Sequence, residues 1–133
     1  MSFDAPSAEA LHVVEMIRYR AWGYRPIIGQ TGFPPKPVED WKEQLASDMW
    51  YMTAVELASF PAALQHLWRT TDCPDEDIYD LTGMFVAKVG LVADVTELIE
   101  RFPQRQQTAL KALMEIPPER RIEAWKSVMQ VRS

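Results

Sequence analysis

One cysteine in 133 residues, Cys73, excludes an internal disulfide. A staple-dependent secreted fold is thereby ruled out, and a reducing cytoplasm is the expected setting. Only five glycines are present, and none forms part of a Gly-rich phosphate loop or a Gly-x-Ser-x-Gly turn. The longest apolar run, residues 84–94, is broken by Lys88 and is too short to span a bilayer. The opening MSFDAPSAEALHVVEMIRYR has acids before its apolar stretch and no basic start, so it does not read as a signal peptide. These absences point to a soluble, non-enzymatic protein with no cofactor and no bound metal.

What is present is apolar and aromatic. Apolar residues make up 47% of the chain and charged residues 25%, enough for one packed domain over 1–133 and unlike a disordered composition. The net charge of −5 is uneven: residues 1–100 carry seven Lys/Arg against sixteen Asp/Glu, whereas residues 101–133 carry seven against three. An acidic body with a basic tail repels nucleic acid overall but leaves one basic face.

Nearly every segment reads as helix, and the expected fold is all-α, a compact bundle of five to seven helices. Ser7 suits a helix N-cap, Ala10, Leu11, Val14, Ile17 and Ala21 form a helical stripe, and Gly23 ends it; the expected helix is 8–21. Residues 23–37, GYRPIIGQTGFPPKP, hold four prolines and three glycines and cannot be helical. They form a strap that also carries Tyr24, Ile27, Ile28 and Phe33. Pro37 is expected to introduce the next helix with Glu39 and Asp40 in its first turn, and Trp41, Leu45, Met49 and Met52 share one face. Thr53-Ala-Val-Glu56 matches a capping box, and Pro61 fits the first turn of a further helical piece whose apolar side bears Leu64, Leu67 and Trp68.

Asp72 to Asp80 packs five acids into nine residues, without the glycine and spacing of a calcium loop; the anions suit a helix N-terminus. The following helix is apolar almost all round between Met84 and Val92, the expected buried centre. Gly83, Ala87 and Gly90 lie on one side of it, where a neighbouring helix could approach closely. Residues 103–114 align without gaps on 118–129, with Pro, Arg, Ala, Lys and Met identical. Two copies at a period of fifteen are too few for a solenoid, so 103–131 reads as a helical hairpin.

Candidate sites are sparse. Glu9-x-x-His12 is half of a carboxylate-bridged metal motif, and its second half is absent. Cys73 lies among acids that raise a thiol pKa, which argues against a nucleophile. The partner-binding candidates are Arg20, Trp22, Tyr24, Arg25 and Phe33, because Arg, Trp and Tyr dominate interface hot spots and these sit where a helix breaks into the strap. Leu110, Leu113, Trp125 and Met129 are the candidates for self-association of the hairpin into a homo-oligomer, since two short helices cannot cover so broad an apolar face. The expected function is binding of another protein, as an adaptor, inhibitor or assembly subunit. Two alternatives rank below it. One is nucleic-acid binding through Arg101, Arg105, Arg120 and Arg121, diluted by Glu115, Glu119 and Glu123. The other is an acidic decoy that occupies the basic groove of a nucleic-acid-handling protein.

Overall fold

A computed structural model describes residues 7–22, 40–70 and 73–132, and over these the protein is all-α. Seven α-helices occur among the described residues: α1 (Ala8–Trp22), α2 (Trp41–Asp48), α3 (Ala54–Thr70), α4 (Asp75–Lys88), α5 (Ala93–Ile99), α6 (Gln104–Ala112) and α7 (Arg121–Arg132). Short 3-10 turns stand at Met49–Tyr51, Leu113–Glu115 and Pro118–Arg120. No helix among the described residues is long and apolar enough to cross a membrane. The chain divides into two compact units, residues 1–78 and 79–133.

In the first unit α1 packs along α3 and against α2. Helix α1 begins as its sequence dictates: Ser7 Oγ accepts the Ala10 amide at 3.1 Å, and Ala10, Val13, Val14, Ile17 and Ala21 are buried. Helix α2 starts later than its prolines suggest. Pro37 and Glu39 lie outside the described residues, and Asp40 is the cap rather than part of the first turn. Its backbone stands in the left-handed region (φ 63°), which aspartate tolerates better than most residues. The stripe of Trp41, Leu45, Met49 and Met52 is buried as a unit.

The capping box opens α3 in both directions. Thr53 Oγ1 accepts the Glu56 amide at 3.1 Å, and Glu56 Oε1 accepts the Thr53 amide at 2.8 Å. Pro61 does not begin a new piece; α3 runs through it. Proline's fixed φ is already helical, and buried Phe60, Ala63, Leu64 and Leu67 hold the segment in line despite the missing amide. Trp68 is half-buried rather than core, and its indole N–H donates to Asp75 Oδ1 at 2.7 Å. Lys42 Nζ meets Asp77 Oδ1 at 2.6 Å, so the acids that open α4 have specific partners besides the helix dipole.

In the second unit every residue of α4 from Tyr79 to Ala87 is buried. The buried centre stops sooner than Val92, because α4 ends at Lys88 and Gly90 turns the chain with φ 110°. Val89, Leu91 and Val92 are exposed in consequence. Gly90 is therefore a helix terminator, not part of a close helix contact. Gly83 does serve close approach, though to a side chain: a Cβ placed on it would lie 2.0 Å from Trp125 Cε2. The Trp125 indole donates to the Asp80 carbonyl at 2.8 Å, and Tyr79 stands edge-on to it at 5.2 Å between ring centroids.

The expected hairpin is present as α6 and α7 with their 3-10 turns, and Arg121 fastens its bend. Its Nε donates to the carbonyls of Leu113 (3.0 Å) and Ile116 (2.8 Å), and Nη2 to that of Met114 (3.3 Å). The Leu113 carbonyl also accepts the Ile116 amide at 3.1 Å, and a cation suits the carbonyls that close the α6 segment. The repeat in sequence is not a repeat in burial: Leu110 and Trp125 are both buried, but Met114 is exposed where Met129 is not.

Candidate functional site

The first unit holds a cleft of about 420 Å³ between α1 and the start of α3, with the Met49–Tyr51 turn on its rim. Its wall from α1 follows helical spacing. His12, Glu15, Met16, Tyr19 and Arg20 project from the side opposite the buried Ala10–Ala21 stripe. Asp48 and Tyr51 come from the end of α2 and the turn after it, Met52 from the extended link that follows, and Glu56 from the start of α3. The volume suits a small ligand or a few side chains of a partner.

Two polar pairs brace the cleft. Arg20 Nε and Nη2 donate to Asp48 Oδ2 and Oδ1, each at 2.6 Å, a bidentate fork, and Nη1 reaches Gln44 Oε1 at 3.2 Å. The bond to Asp48 raises the guanidinium pKa, with burial opposing it. Arg20 is thus fixed in orientation. The second pair joins His12 Nε2 to Glu56 Oε2 at 3.0 Å. The Thr53 amide, and secondarily His12, hold the Glu56 carboxyl below the usual glutamate range. His12 is therefore a partner of Glu56 across the cleft rather than of Glu9 along its own helix.

The aromatic walls are open. Tyr19 is 49% exposed and Tyr51 89%, with Trp50 beside it at 62%. Glu15 stands on the same wall with its side chain 46% exposed; Arg18 Nη1 lies 3.6 Å away, longer than a charge-assisted hydrogen bond. Comparison with family models, curated proteins and solved structures gives no match.

Of the partner-binding residues expected from the sequence, Arg20 lies in this cleft. Trp22 closes α1, its side chain lies outside the described residues, and so do Tyr24, Arg25 and Phe33. The reading missed His12, Glu15, Tyr19, Asp48, Tyr51 and Glu56 as a group. A signal existed on the face of α1 opposite the apolar stripe, where the polar residues His12, Glu15, Tyr19 and Arg20 recur at helical spacing.

The four residues expected to face a second copy, Leu110, Leu113, Trp125 and Met129, are buried within the chain; the exposed apolar groups of the hairpin are Met114 and Val128. Among the basic residues, Arg101, Arg105 and Arg120 are exposed, while Arg121 is half-buried on its three carbonyls and turned to the hairpin rather than outward. Cys73 is buried, and burial together with Asp77 pushes its thiol up to about 12. A thiol held so far from ionisation is a poor nucleophile. Among the described residues no group of three or more His, Cys, Asp or Glu could hold a metal ion.

Proposed function

We propose that this is a non-catalytic binding protein that receives a segment of another protein in the cleft beside α1. The observation that carries the reading is the pairing of exposed rings with a fixed cation: Tyr19 and Tyr51 stand open beside Arg20, whose guanidinium is already oriented by Asp48. Tyrosines lose few rotamers on binding, and side chains ordered beforehand lose almost none, so such a surface gains affinity cheaply in entropy. Adaptor, inhibitor and assembly subunit are all roles that such a cleft can serve.

Selection of a random peptide library on the immobilised protein tests this. The enriched peptides are expected to lose binding with Tyr51→Ala and with Tyr19→Ala while the far-UV helix signal stays unchanged. A pool without enrichment, or one indifferent to both substitutions, overturns the reading.

The exposure of Arg101, Arg105 and Arg120 supports nucleic-acid binding as the second reading. An electrophoretic shift at low salt that fades steeply as salt rises would favour it, because phosphate contacts release counterions.

A further inference from the structure

We infer that the occupant of the α1 cleft is an arginine-bearing segment of a partner protein; this rests on the proposed binding role and names its chemistry. The charge of the lining comes first. Three carboxylates, Glu15, Asp48 and Glu56, share the lining with Arg20, and Arg18 stands 3.6 Å from Glu15. Arg20 and Asp48 neutralise each other through their fork. Glu56 is held in its ionised form by the Thr53 amide and bonds His12. The three carboxylates outnumber these two arginines by one, and Glu15, the most exposed of the three and held only at 3.6 Å by Arg18, is the one open to a visitor. The surrounding unit extends the same sign: residues 1–78 carry six Lys/Arg against twelve Asp/Glu.

An anionic segment is therefore repelled, and a purely aliphatic one would desolvate Glu15 without replacing its water. A cation on an apolar stem meets each part of the wall. Its methylenes lie on Met16 and Met52, and its charged head reaches Glu15. The ring faces of Tyr19 and Tyr51 attract a cation and admit stacking by a planar one. Guanidinium meets the planar requirement and ammonium does not, since only guanidinium combines stacking with a forked carboxylate bond. The openness of the rim, with Tyr51 almost fully exposed, suits a side chain whose backbone stays outside the cleft.

The experiment is a titration of the isotope-labelled full chain, followed by amide and methyl chemical shifts, with short blocked peptides of glycine and serine carrying arginine, lysine or glutamate. Free agmatine is the small-molecule arm. Arginine peptides are expected to shift Met16, Tyr19, Tyr51 and Met52, lysine peptides to bind about fivefold more weakly, and glutamate peptides to shift nothing there. Glu15→Gln should weaken the arginine peptide by about fivefold or more, with the helix signal unchanged. Absence of cleft shifts at millimolar arginine peptide overturns the inference, as does indifference to Glu15→Gln. Agmatine binding as tightly as the peptide overturns the commitment to a protein partner. If library selection yields cleft-dependent peptides without arginine, this inference fails and the binding role stands; if it yields no cleft-dependent peptide, both fail.

Discussion

The cleft of the first unit and the tryptophan socket of the second are held by different kinds of force. Around the cleft the braces are ionic and partly wet: the Arg20 fork, the His12–Glu56 bond and the capping box at Thr53. Such contacts fix geometry but contribute little net stability, because water competes for every partner. Around Trp125 the contacts are dry and steric. The ring fills the space where Gly83 has no Cβ, meets Tyr79 edge-on and donates to a helix carbonyl. Contacts of that kind stabilise strongly and tolerate no change of shape. The difference leaves one surface of exposed, oriented groups and one closed interior.

The sharpest break of this comparison is Trp125→Ala. Removing a fully buried tryptophan should cost about 3–5 kcal/mol, read as a lower chemical-denaturation midpoint. A loss below about 1 kcal/mol would mean the socket is not closed. Gly83→Ala comes next, at roughly 1–3 kcal/mol, since the added methyl collides with the indole. In a Trp125→Ala background the same change should become nearly harmless, a non-additivity that only direct contact explains.

Effects in the first unit should be smaller. Thr53→Ala removes one half of the capping box and should cost about 1 kcal/mol, measured by thermal melting. Arg20→Ala should cost under about 1 kcal/mol because its pair with Asp48 is a third to a quarter exposed, yet it should change peptide binding in the cleft. A stability loss comparable to that of Trp125→Ala would erase the distinction between the two regions.

The smallest effect is a pH slope. Burial, and then Arg18 and Arg69, lower the His66 pKa in the folded protein. Below the ordinary histidine value of about 6.5 the unfolded chain takes up a proton that the folded chain resists, so stability is full above that value and falls as pH drops through it. His66→Gln should flatten this slope, as denaturation curves between neutral and mildly acidic pH would reveal.

The locally determined parts of this molecule were legible in its sequence. Ser7 as a cap, the Thr53–Glu56 box and the 41–45–49–52 stripe each depend on residues within one or two helical turns. The α1 stripe was equally readable, apart from Leu11, which is exposed. What escaped were pairings between helices. His12 and Glu56 stand 44 residues apart, and Arg20 and Asp48 stand 28 apart, so no periodicity announces them. The hairpin shows the opposite failure. Leu110, Leu113, Trp125 and Met129 were recognisably apolar, but composition does not say whether a partner or the same chain covers an apolar face. Pro61 misled because a strong local signal was overridden by the packing of Phe60 and Leu64 around it.

The bond from Trp125 to Asp80 also sets an order in time. The two residues are 45 apart in the chain, so during synthesis α4 emerges well before the ring that fills its groove. At ordinary elongation rates of 5–20 residues per second that interval is roughly two to nine seconds. For that interval a helix whose Tyr79–Ala87 side chains are all destined for burial stands on the ribosome without its indole. Nascent chains that stop before residue 118 should therefore be cut by protease within α4, and chains that include α7 should resist.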